Sequence, residues 1–207
     1  MLEAFKRAAW KSVEMVNPQG KLDKRARAAM APRVLMKTYL EECRRADAHG
    51  LALGTLSEAS LRLPSGKMLI NSAGTSLVRL REEDLCFIAL DKEYVFSGNQ
   101  PTVRADLHRT LYAVCPNAQA VLLCQPHNAV LCASRKIVPN ANMLSDLQTF
   151  AQGIVWLENA EDLNEKTISV AHSALLRGVG LLSWSAGMAE AVDQALMVER
   201  LAAYSLK

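Results

Sequence analysis

Three side chains able to do chemistry fall close together near the middle of the chain. Cys124 and His127 lie three residues apart at a turn, and His108 sits on the helical stretch before them. One cysteine and two histidines are competent zinc ligands, and a turn is where a pocket can open. Such a site needs a full ligand set in agreed geometry. The plainer alternative has His108 accommodated on its helix, His127 capping a turn and Cys124 filling the sheet. Cys124 as a nucleophile would need a lowered pKa and a base, with His127 the nearest one in sequence. Arg104 cannot be a base, because its pKa stays above about 12. It can grip a carboxylate or phosphate through two parallel N–H groups, or it can pair with Asp106 or Glu83, or face solvent.

Local pattern predicts the elements that must position these residues. A strand runs into the Pro101-Thr102 turn, and a helix follows from Arg104 to Val114. Cys115-Pro116-Asn117 breaks that helix. An apolar strand from Ala118 to Cys124 then meets the turn Gln125-Pro126-His127 and a short helix. Earlier, spacings of three and four predict helices over residues 2–16 and Arg33 to Ala48, with Pro32 in the first turn of the second and Gly50 stopping it. Leu51 and Leu53 read as strand. Ser60–Leu63 and Lys67–Ile70 form a hairpin across Pro64-Ser65-Gly66, and Leu85–Leu90 is a buried strand turning at Asp91-Lys92 into Tyr94-Val95-Phe96. The second half offers a strand from Gly153 to Leu157, a helix from Asp162 to Leu176, a strand from Val179 to Trp184 and a closing helix from Met188 to Tyr204. Early hairpins with interleaved helices predict a layered α/β domain around a mostly antiparallel sheet. Neither a repeat nor a linker interrupts it, so residues 1–207 are expected to form one domain.

Composition narrows the function classes. A chain of 207 residues with 50% hydrophobic content can bury one good core. A net charge of +3 is too small to argue for nucleic acid, and the richest basic stretch, Lys21 to Arg33, is interrupted by Asp23. Five cysteines form no CxxC pair and are odd in number, which fits a reducing cytoplasm. No stretch approaches the roughly 18 apolar residues of a membrane span. Charged residues such as Glu3, Lys6 and Arg7 interrupt any signal-like start.

In the order of its motifs the chain resembles the class II (zinc) aldolase and adducin head-domain family. Gly54-Thr55-Leu56-Ser57 is similar to the family's Gly-Asn-Ile/Leu-Ser signature. Ile70-Asn71-Ser72-Ala73-Gly74, followed by Leu80-Arg81-Glu82-Glu83-Asp84-Leu85, is similar to its Ile-Thr-Pro-Ser-Gly turn and Glu-Asp-Leu. Residues 94–133 resemble the segment that carries Lys-Pro-Ser-Ser-Glu, a His four residues on, a helix, and then Val-His-Thr-His. The resemblance spans roughly residues 33 to 204 and implies a three-layer αβα sandwich.

The resemblance also implies chemistry that this chain lacks the residues to perform. Family enzymes use three histidines to hold zinc, and a Glu to deprotonate the carbon next to a carbonyl, giving an enediolate that the metal stabilises. The base position falls on Arg104, and the His-x-His pair falls on Leu123 and Gln125. The third histidine, in a His-Gly-Val-Val pattern, belongs near Gly180-Leu181-Leu182-Ser183-Trp184, and no histidine follows His172. Zinc is therefore not expected. Thr55, Ser72, Gly74, Thr102 and Arg104 mark where the family's phosphate cradle would survive as an anion site.

Two functions follow. The first is a non-catalytic aldolase-like protein kept for binding or assembly, as in adducin. The alternative is a lyase, isomerase or decarboxylase with rebuilt chemistry on a sugar phosphate or oxygenated acid, with Arg104 holding the anion and Cys124 or His127 moving protons. Expected partners are further copies of the chain (a tetramer by resemblance), an aldolase-like paralogue or another protein, and a small anionic ligand; neither nucleic acid nor membrane is expected.

Overall fold

A computed structural model describes residues 24–90, 96–140, 153–168 and 171–207. The expected helix over 2–16, the turn at Asp91-Lys92 and the Tyr94-Val95 part of its strand lie outside them. The chain divides into two compact units, Met1–Tyr39 and Leu40–Lys207. Helix α1, Lys24–Ala48, begins in the first and ends in the second.

The second unit is built on one eight-stranded sheet. Its strands are β1 Glu58–Arg62, β2 Lys67–Asn71, β3 Leu85–Ala89, β4 Phe96–Gly98, β5 Ala120–Cys124, β6 Ile154–Leu157, β7 Ser173–Leu176 and β8 Gly180–Ser185. They lie side by side in the order β4-β3-β2-β1-β5-β8-β7-β6. Among the described residues only the β6–β7 pair is parallel, so the mostly antiparallel expectation holds. Strand β5 is central because all five of its residues, Ala-Val-Leu-Leu-Cys, are buried. A run apolar on both faces suits a strand covered on both sides.

Helices cover the two faces. On one face Val121, Leu123, Leu182 and Trp184 form a core with Leu107 and Leu111 of α2, Ala105–Val114, and Ile168 of α4, Glu165–Ile168. On the other lie α3, His127–Arg135, and α5, Met188–Ser205, which pack against each other and the central strands. The Ser183 hydroxyl, which points to this second face, donates to the Ala191 carbonyl of α5 at 2.9 Å.

Three expectations need correction. Helix α1 starts at Lys24, so Pro32 lies inside it rather than in its first turn; residues 24–31 are mostly Ala, Lys, Arg and Met, strong helix formers. The expected helix from Asp162 to Leu176 is instead the single turn α4 followed by strand β7. Ser173–Leu176 is wholly buried between β6 and β8, and a short apolar run cannot be told from a helix by periodicity alone. Neither Leu51 nor Leu53 is in a strand: the Leu51 carbonyl accepts from Gln125 N–H at 3.0 Å, and Leu53 opens a turn closed by Leu56 N–H donating to its carbonyl at 3.0 Å.

The β7–β8 hairpin brings Gly180 hard against β5. Gly180 has φ +140, and a Cβ there would stand 2.4 Å from the Cys124 carbonyl oxygen. Gly180→Ala is expected to destabilise the protein by about 2–4 kcal/mol through backbone strain and this clash. Urea unfolding with intrinsic tryptophan fluorescence checks it; a loss under about 0.5 kcal/mol would contradict the close packing.

Candidate functional site

Polar residues on β1 and α2 interdigitate across an otherwise apolar layer. On β1, Ser60 pairs with Ile70 and Val121, so Glu58, Ser60 and Arg62 point to the face that α2 covers. On α2 and its cap, Arg104, His108 and Tyr112 recur every four residues and so share one helix face. The side chains alternate. Arg104 Nη1 lies 3.5 Å from Glu58 Oε1, and His108 Nε2 lies 3.5 Å from Glu58 Oε2. The Ser60 hydroxyl is 2.8 Å from His108 Nδ1 and 3.0 Å from the Tyr112 hydroxyl. Arg62 then stacks over the Tyr112 ring at 4.9 Å and donates to the carbonyls of Tyr112, Cys115 and Ala118.

The charges match the helix ends. Glu58 stands by the N-terminal end of α2, where the partial charge is positive, and Arg62 binds carbonyls at its C-terminal end, where it is negative. Glu58 is 2% exposed. Burial works against its charged form, but the His108 contact, the Thr102 hydroxyl and the Arg104 charge outweigh it and hold the carboxyl below its ordinary value. Ser60, His108 and Glu58 thus form a serine–histidine–carboxylate series. It is no hydrolase triad, because Ser60 is fully buried and also engages Tyr112. Burial pushes the Tyr112 hydroxyl pKa far up, so it stays protonated.

Arg104 is the exposed end of this series, with its side chain 32% accessible. It pairs with Glu58, not with the two carboxylates the sequence suggested: Asp106 pairs with Arg109 and Glu83 with Arg81. Thr102 is buried beside it, and its hydroxyl lies 3.4 Å from the Arg104 backbone N–H. Ser72 forms an isolated bridge with Pro101, which sets the Ser72–Gly74 turn alongside Thr102. Gly74 is exposed with φ +75. Thr55 is exposed on the turn that leads into β1. The structure therefore groups Ser72, Thr102 and Arg104 with Glu58 and leaves Thr55 on the neighbouring loop.

The two other reactive candidates are elsewhere. Cys124 is fully buried, and that burial, with the Glu199 carboxylate adding to it, pushes its thiol pKa far up. It is held as a protonated thiol, not a nucleophile. His127 is the exposed first residue of α3. The N-terminus of that helix is already satisfied, since Glu199 accepts from Asn128 N–H at 3.0 Å and Ala129 N–H at 2.8 Å. Among the described residues, no group of three or more His, Cys, Asp or Glu side chains is placed to hold a metal ion, so Cys124, His127 and His108 do not form one.

The two residues that the resemblance sets against the family's His-x-His pair are structural here. Leu123 lies in the apolar core. The Gln125 amide oxygen accepts from the Ser57 hydroxyl at 2.7 Å, and its nitrogen donates to the carbonyls of Leu56 at 3.2 Å and Val179 at 3.4 Å. Val179 stands directly before Gly180-Leu181-Leu182-Ser183-Trp184, the region that the resemblance sets against the family's His-Gly-Val-Val pattern.

Sequence reading missed Glu58 and Ser60. The available signal was a polar residue at every second position of Glu58–Arg62 together with one at every fourth position from Arg104 to Tyr112. Either stripe alone reads as a solvent face; only their pairing marks a buried network.

Comparison with known proteins agrees with this architecture. The sequence profile of the "Class II Aldolase and Adducin N-terminal domain" family matches residues 37–206. The methylthioribulose-1-phosphate dehydratase of Citrobacter koseri is 24% identical over 181 residues, covering 78% of this chain and 89% of that protein. The enzyme of the same name from Yersinia pestis is 30% identical over 162 residues, covering 69% and 72%. Among solved structures, L-fuculose-1-phosphate aldolase from Thermus thermophilus superposes with a TM-score of 0.68 at 22% identity, covering 83% of this chain and 92% of that one. The sugar-phosphate aldolase of Thermotoga maritima gives 0.72 at 16% identity, covering 85% and 95%. The chain belongs to the class II aldolase and adducin N-terminal domain family.

The depressed Glu58 pKa makes a stability prediction. Its contribution is complete above the ordinary value of 4.5 and is lost as pH falls through the folded-state value. Glu58→Gln is therefore expected to lower the urea midpoint most at neutral pH. The gap to wild type should narrow once the pH drops below 4.5. A gap independent of pH between about 7 and 3 would contradict the assignment.

Proposed function

We propose that this family member is a lyase-type enzyme acting on a small phosphorylated hydroxyketone or oxygenated acid, with Arg104 holding the substrate's anion and no three-histidine zinc centre. The observation that carries this is the placement of Arg104. By resemblance it takes the position of the family's base; it is a third exposed, beside Thr102 and the Ser72 turn, and its ion pair with Glu58 is long at 3.5 Å. A guanidinium held this loosely can turn to a phosphate or carboxylate and bind it through two N–H groups. The relatives named methylthioribulose-1-phosphate dehydratase support both the reaction class and the anion.

A second reading, a non-catalytic binding or assembly protein, is favoured by Gln125. Both ends of its amide are engaged by the protein itself where the family has a zinc ligand. In that reading further copies of the chain, or an aldolase-like paralogue, are the expected partners.

Titration calorimetry with methylthioribulose 1-phosphate and L-fuculose 1-phosphate, together with product detection, separates these readings. Binding with a Kd of roughly 10 μM to 1 mM is expected. Arg104→Ala should weaken it about tenfold or more, the scale of losing charge-assisted bonds. Binding without product would favour the second reading. No binding of either compound would contradict an anion site at Arg104.

A further inference from the structure

We propose that Glu58 has replaced the lost family base: a carboxylate delivered from strand β1 rather than from helix α2, uncovered when Arg104 turns to the substrate's anion. This inference rests on the reading that a phosphorylated hydroxyketone binds at Arg104. In the family pattern the helix position carries the acid; here that position is Arg104, and an acid faces it from the strand at 3.5 Å.

The two oxygens of Glu58 have different surroundings. Oε2 faces His108 Nε2 at 3.5 Å, and neither buried atom has an aligned hydrogen-bond partner. The Ser60 hydroxyl fixes the opposite edge of the imidazole at 2.8 Å. When Ser60 donates to Nδ1, the imidazole proton sits on Nε2 and points at Oε2. His108 is then a positioning residue that holds one oxygen of the carboxylate. Oε1 faces Arg104, whose side chain reaches solvent. It becomes the free oxygen beside that solvent-reaching side chain once the guanidinium has moved.

The step balances without an added oxidant or reductant. Oε1 takes the proton from the carbon next to the substrate carbonyl. The C–H bond breaks, an O–H bond forms on Glu58, and the C–H electron pair passes into an enediolate whose negative charge develops beside Arg104. Returning the proton to carbon completes an exchange; breaking the C–O bond of the neighbouring carbon, with the hydroxide taking the proton from Glu58 and leaving as water, completes a dehydration.

The test uses dihydroxyacetone phosphate, the smallest hydroxyketone phosphate with such a C–H bond, with the full chain in D2O. Binding is read by calorimetry and C–H exchange by proton NMR. Wild type is expected to bind and exchange. Glu58→Gln should bind within about threefold of wild type while exchange falls about 100-fold or more, the range for a lost general base. Should that variant fail to fold, Glu58→Asp withdraws the carboxylate by one methylene and should slow exchange about tenfold with binding kept. Exchange within about threefold of wild type in either variant, or binding by wild type without exchange, overturns Glu58 as the base and leaves the anion site standing. Failure of wild type to bind overturns the anion site itself.

Discussion

The site depends on a carboxylate held between a strand and a helix in an apolar layer. An ionised Glu58 cannot stay buried without positive charge or hydrogen bonds close by. Its neighbours supply both: Arg104 on one oxygen, His108 on the other, and Thr102 beside them. Each neighbour is held in turn. Ser60 orients His108, Tyr112 engages Ser60, and Arg62 ties the far end of α2 to β1. Removing one member leaves a buried polar atom of the next unpaired, at a cost of about 1–3 kcal/mol. The network therefore fixes the register of α2 on the sheet, and leaves the partly exposed Arg104 guanidinium at its end with only a 3.5 Å contact to Glu58.

The residues that the resemblance sets against the family's His-x-His pair serve the scaffold. Leu123 lies in the core, and Gln125 uses its amide to tie the turn before β1 to the β7–β8 hairpin. Those bonds hold the loop that delivers Ser57 and Glu58. Glu58 and Ser60 of β1, with Arg104, His108 and Tyr112 facing them, make the polar cluster.

Much of the fold was legible because family motifs fall in order and local signals are strong. Pro101-Thr102 before α2, the continuous apolar run of β5 and the Pro64-Ser65-Gly66 turn all stand where the sequence predicts. The failure at Ser173–Leu176 has a physical cause: four buried residues carry too few periods to separate strand from helix. The candidate site was half legible. Arg104, Thr102 and Ser72 could be found by matching motifs, because they occupy positions with known counterparts. Glu58 could not, because its meaning comes from α2 lying across β1, a contact 46 residues apart in sequence. Cys124 misled for a related reason, since its proximity to His127 in the chain says nothing of the burial that keeps its thiol protonated.

The most direct test of this account is the charge state of Glu58 itself. Carbon-13 NMR of the glutamate side-chain carboxyls, with Glu58 assigned by comparison to Glu58→Gln, gives its titration in the folded protein. Ionisation that persists below the ordinary value of 4.5 is predicted, since His108, Thr102 and Arg104 outweigh burial. A Glu58 carboxyl that takes up its proton above 4.5 would contradict it, because burial would then be winning and the pair with Arg104 would not hold a charge at the site.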